Sequence, residues 1–112
     1  MSINKIINKS ILKKDINIVL SFCVKSQDYE TNGITAFLGN QYKGYLYFLI
    51  KDNLVVYIGC SENRNRISGH KNKDYDFFYY LIYENYDFYK DETKLIKTFK
   101  TKYNKCNLSN TN

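Results

Sequence analysis

The sequence predicts a small α/β (α+β) domain in which a β-hairpin and a further strand alternate with helices, preceded by an extra N-terminal amphipathic helix. Three observations carry this. Apolar residues recur near helical spacing at Ile7, Ile11, Ile16, Val19, Leu20 and Cys23,. Two β-prone runs, Gly44–Ile50 and Leu54–Gly59, are separated only by Lys51-Asp52-Asn53,. A third such run, Phe77–Tyr83, lies between two segments of helical pattern.

Taken in order, Ile3 to Val24 read as one amphipathic helix or two, with lysines on the polar face,. Asn4, Asn8 and Asn17 weaken the intrinsic propensity, so tertiary packing has to hold it,. Residues 27–43 read as a connector with a short strand or turn at Ile34–Leu38,. The hairpin strands are apolar on both faces, which suits the middle of a sheet. Ser61 can cap a helix running to His70, with Glu62 and Asn63 in its first turn,. Asp91 can cap a last helix that reaches about Tyr103, and the Asn-rich residues 108–112 read as a frayed tail,. These divisions give an N-terminal extension over 1–43 and a main domain over 44–107.

A chain of 112 residues supports one core without covalent staples,. Its net charge of +6 suits an anionic partner such as nucleic acid or an acidic membrane surface,. Cys23, Cys60 and Cys106 are odd in number and fit no metal-ligand spacing, so they read as free thiols of a reducing compartment,. Lysines scattered among the first isoleucines do not make a secretion signal, and no run is long and apolar enough to span a bilayer,. The expected location is intracellular, not secreted, with no membrane partner.

Six polar residues, Tyr47, Tyr57, Arg66, His70, Glu92 and Asn104, have between them the chemistry to cut a phosphodiester. Glu92, Leu95, Ile96, Phe99 and Tyr103 share one face of the last helix, and the first of them is a carboxylate,. An unpaired buried carboxylate costs on the order of several kcal/mol, so Glu92 needs a cation, hydrogen-bond donors or the helix N-terminal dipole. A single carboxylate that leaves water positions open is also how Mg²⁺ is held at phosphate sites. Arg66 and His70 are four apart on the preceding helix and leave one face,. Arginine matches phosphate oxygens with a planar fork, and His70 can move a proton near neutrality. Tyr47 and Tyr57 lie on adjacent strands. A three-residue turn would set them opposite each other, whereas a two-residue turn would send the rings to opposite faces. The plainer role for either is packing with its hydroxyl at the surface.

Gly44-Tyr45-Leu46-Tyr47, Val56-Tyr57-Ile58-Gly59, Arg66-Ile67-Ser68-Gly69-His70, Glu92-Thr93-Lys94-Leu95-Ile96 and Tyr103-Asn104 resemble, in order, the motifs of the GIY-YIG nuclease family. The resemblance implies a three-stranded antiparallel sheet flanked by helices, in agreement with the order read above. It also implies a metal-dependent DNA endonuclease, phage- or virus-like in size, that uses Mg²⁺ or Mn²⁺. By position, Tyr47 or His70 would activate the attacking water, and Tyr57 and Arg66 would orient and neutralise the phosphate. Glu92 would hold the metal, and Asn104 would position the end of the helix or a phosphate oxygen. The alternative is a catalytically silent DNA-binding or partner-binding module on the same fold. In its favour, the segment from Tyr57 to Arg66 is shorter than the family's and Thr101 stands where a proline is common.

Overall fold

The computed structural model describes residues 2–26, 43–62 and 73–104. Within them the fold is a four-stranded antiparallel sheet with helices packed on one side. The helical pattern at the start becomes two helices, α1 (Ile3–Lys13) and α2 (Asn17–Leu20). Ser2 caps α1 by accepting from the Lys5 amide at 3.4 Å,. Lys14 then turns left-handed (φ 52°), and the Asp15 carboxylate accepts from the Asn17 amide at 3.0 Å to start the second helix,.

Past α2 the chain enters a strand that the periodicity had assigned to helix or connector. This β1 (Val24–Ser26) pairs with β4 (Phe77–Tyr83), which pairs in turn with β2 (Gly44–Lys51), and β3 (Leu54–Ser61) closes the far edge. The sheet therefore holds one strand more than expected. Three residues of β1 are too few to register as a strand by alternation alone. Their extended form comes from the ladder Val24↔Tyr80, Lys25↔Tyr79 and Ser26↔Phe78.

The β2–β3 turn is shorter than expected. Asp52 and Asn53 both have positive φ (52° and 65°), and Lys51 pairs with Leu54. A two-residue loop with both residues left-handed matches the twist of the strands, and Asp and Asn tolerate that conformation. Such a turn alone would part Tyr47 from Tyr57. One extra residue in β3 cancels the effect: Ile50 faces Val55, Leu49 faces Tyr57, and Val56 bulges between them,. Beyond the bulge Tyr47 lies opposite Gly59, so both tyrosines again share a face,.

The last helix, α3 (Phe88–Phe99), begins before Asp91 and stops short of Tyr103. Asp87 holds the N-cap position, and Asp91 is buried one turn inside, where it accepts from the Tyr83 hydroxyl at 2.7 Å. Lys100 ends the helix in the left-handed conformation (φ 46°). The chain can then run along the outer edge of β3, where the Tyr103 amide donates to the Val56 carbonyl at 2.9 Å.

The two faces of the sheet have separate cores. On the helical side Leu46, Phe48, Ile50 and Ile58 pack with Ile6, Ile7, Val19, Leu95 and Ile96. Each fully buried aliphatic there contributes about 2 kcal/mol. Residues of the expected extension thus share one core with the sheet. On the other side Tyr45, Tyr47, Leu49, Tyr57, Phe78 and Tyr80 form a mostly aromatic cluster, with Tyr75, Ile82 and Tyr103 packed against it. No helix among the described residues is long and apolar enough to cross a membrane.

Candidate functional site

The Tyr-Ile-Gly triplet has a steric reason. The Tyr47 ring lies across the backbone of Gly59, and a Cβ placed there would collide with its phenol end and with the Tyr57 ring. Any larger residue at 59 would push one of the two tyrosines away. The tyrosine rings stand 5.9 Å apart at 38°, and Tyr45 continues the row 5.8 Å from Tyr47. Tyr47 is 0% exposed and Tyr57 is 8% exposed. Gly44 follows the same logic on the helical side, where the Phe88 ring occupies the space a Cβ would need.

Asn104 is fully buried and grips the same triplet. Its Oδ1 accepts from the Ile58 amide at 2.6 Å and its Nδ2 donates to the Ile58 carbonyl at 2.9 Å. The Thr101 hydroxyl also donates to Oδ1. Among the described residues β3 is an edge strand, and no further strand pairs with its outer side. The Asn104 amide and the Tyr103 amide stand in for that missing strand,. Asn104 thereby ties the segment that follows α3 to the middle of β3.

Glu92 is half-buried on the first half of α3. Its neighbour is Cys60, whose thiol is pushed well above its ordinary pKa, first by burial and then by the charge of Glu92 and a hydrogen bond to it,. The thiol therefore stays protonated at neutral pH and can donate to the carboxylate. Cys60 pairs with Leu46 and so points to the helical face. The structure thus brings Tyr47 and Tyr57 together on one face of β3 and sets Glu92 against the other. β3 is the outermost strand, so among the described residues no further strand lies between carboxylate and tyrosines along that edge. One turn before Glu92, the Tyr89 hydroxyl donates to Glu62 Oε2 at 2.8 Å, which raises the phenol's pKa.

Arg66 and His70, and the helix expected to carry them, lie outside the described residues, as do the expected connector element at Ile34–Leu38 and Cys106. Ser61 is the last residue of β3.

Sequence reasoning passed over the cations beside the tyrosines. Lys73 Nζ stands 5.0 Å from the Tyr57 ring centre and 5.9 Å from that of Tyr103, and Lys102 Nζ lies 5.2 Å from Tyr103 on its own account. No spacing rule links Lys73 to Tyr57, and the contact exists only after folding. It also passed over the buried Tyr83–Asp91 pair, in which burial raises both pKa values above their usual ranges. A cleft of about 500 Å³ lies elsewhere, lined by Ser2, Asn4, Glu84, Asn85 and Asp87 among others, and contains none of the expected catalytic residues.

Comparisons with models of known families, with curated proteins and with solved structures gave no match.

Proposed function

We propose that this chain is a metal-dependent endonuclease that hydrolyses DNA phosphodiesters through a GIY-YIG-type site. The observation that carries the proposal is the seating of Tyr47 across Gly59 beside Tyr57, on a strand whose backbone Asn104 clamps. Three separated motifs of the resemblance thus meet in one packed unit. The net charge of +6 adds attraction for a polyanion,.

Glu92 offers one hard oxygen ligand set, half-buried and oriented by the Cys60 thiol. That suits Mg²⁺ or Mn²⁺, which take one or two carboxylates and keep several waters. Bound there, the ion would supply Lewis-acid stabilisation of charge developing on the phosphate. Tyr57, the more accessible of the paired tyrosines, and Arg66 orient the phosphate through hydroxyl and guanidinium donors,. Tyr47 or His70 accepts the proton of the attacking water. Asn104 acts through the backbone of Ile58 and does not touch substrate.

A binding module without turnover is the second reading. Two specific observations favour it: Tyr47 is fully buried, and Glu92 approaches β3 from the opposite face.

Incubation of the pure protein with supercoiled plasmid and Mg²⁺ decides between them. Nicking that stops with chelator and falls at least roughly 100-fold in Glu92→Ala supports the nuclease. Equal nicking by both proteins would rule out the proposed site. Salt-sensitive DNA binding with no cleavage would leave the binding module standing.

A further inference from the structure

The segment that leads into β4 is fastened at several points. The Asp74 amide donates to the Tyr103 hydroxyl at 3.0 Å. Lys51 Nζ bridges Asp74 and Asp76 at 3.4 and 3.2 Å. Asp76 in turn accepts from the Asp52 amide at 3.1 Å through its carboxylate and donates its own amide to the Ile50 carbonyl at 2.7 Å. Lys73 is the residue just before this anchored stretch. Its half-buried side chain reaches back over the rings of Tyr57 and Tyr103, on the tyrosine side of the sheet. Both ring faces attract the ammonium, and the side chain that carries it is half-buried,. An ordinary surface lysine loses its rotamer freedom when it binds an anion. Here folding has already restricted it.

We propose that Lys73 is a phosphate-binding residue of the tyrosine face, placing an ammonium beside Tyr57 to contact a backbone phosphate of DNA. This rests on the reading above only in taking DNA as the partner. It assigns a cation that neither the motifs nor their spacing marked. The chemistry is that of a point charge with three donors, which neutralises one phosphate without reading a base. Lys73 is therefore a contributor to affinity and register, and specificity for a base sequence does not arise from it.

The test is the salt dependence of DNA binding, measured by anisotropy of a labelled duplex in metal-free buffer so that no cleavage intervenes. Wild type, Lys73→Ala, Lys73→Met, Lys73→Arg and Lys90→Ala are compared. Lys73→Met keeps the stem over the two rings, so it covers the case in which Lys73→Ala fails to fold. Loss of one phosphate contact should lower the slope of log affinity against log salt by about 0.9 and weaken binding roughly tenfold near 0.1 M salt. Lys73→Arg should restore the wild-type slope, and Lys90→Ala, on α3 across the sheet, should keep it. A wild-type slope in both neutral variants would overturn the proposal. So would an equal fall in Lys90→Ala, or a wild type that binds no DNA. A plasmid-cleavage assay on the same proteins separates the two ideas. Lys73-dependent binding without any cleavage sinks the nuclease and keeps Lys73; cleavage with an unchanged Lys73→Met slope does the reverse.

Discussion

The two faces of this sheet are built from different materials. The helical face is mainly aliphatic, with Leu46, Ile50 and Ile58 against isoleucines, a valine and a leucine of the helices, and Phe48, Tyr83 and Phe88 among them. The other face carries Tyr45, Tyr47, Tyr57 and Tyr80, rings of similar bulk that each bring a hydroxyl. Aliphatic burial is non-directional and tolerates many arrangements, whereas each buried phenol needs a partner or a route to solvent. The contrast leaves the mostly aliphatic face to the helices and gives the other face a row of buried phenols.

The strongest way to break that contrast is to cut each face once. Phe48→Ala should destabilise by about 4 kcal/mol, the cost of deleting a fully buried ring,. Tyr47→Phe at the preceding position should cost about 1 kcal/mol, since it removes one hydroxyl and leaves the ring over Gly59,. Urea melts measure both. Cleavage should show the opposite order below the melting range, with Tyr47→Phe the more damaging. If Tyr47→Phe cleaves as well as wild type, the tyrosine row is merely a second core.

Next in size is the clamp that joins the faces at the edge of β3. Asn104→Ala leaves the Ile58 amide and carbonyl without their partner and should cost about 3 kcal/mol,. Asn104→Asp keeps an acceptor for the amide but loses the donor to the carbonyl, so it should fall in between. A change below about 0.5 kcal/mol in Asn104→Ala would show that water replaces the side chain and that the edge needs no clamp.

The smallest effect concerns the buried Tyr83–Asp91 pair on the helical face. Burial raises the Asp91 pKa above the ordinary carboxylate value, so the native state favours its neutral form. Its contribution is therefore fully present below the unfolded pKa and is lost as pH rises through the folded one. Asp91→Asn keeps an acceptor for Tyr83 and has no proton to lose. The stability of wild type relative to Asp91→Asn should fall as pH rises above the ordinary carboxylate range,. A pH-independent difference in thermal or urea melts would mean that Asp91 titrates normally.

Much of the architecture was legible because local signals and burial agree. Continuous β-prone runs named β2, β3 and β4, and helical spacing placed Glu92 and Leu95 on one face. β1 was missed because three residues carry no period. The length of α3 was misjudged at both ends. Asp91 has the chemistry of a cap but is recruited by Tyr83, and Lys100 takes a left-handed stop that glycine usually marks,. Among the candidate site residues, Tyr47, Tyr57 and Asn104 came together as a unit, while Glu92 took the other side of β3.

By itself the sequence determined what the chain is made to bury and which polar groups it carries, because composition and period are properties of the covalent chain. Only tertiary structure decided where those groups meet. A single bulged residue at Val56 reverses the parity that the tight Asp52-Asn53 turn had set, and so chooses the face on which Tyr57 stands. That choice depends on strand pairing over the whole hairpin. No residue in the turn or the triplet encodes it alone.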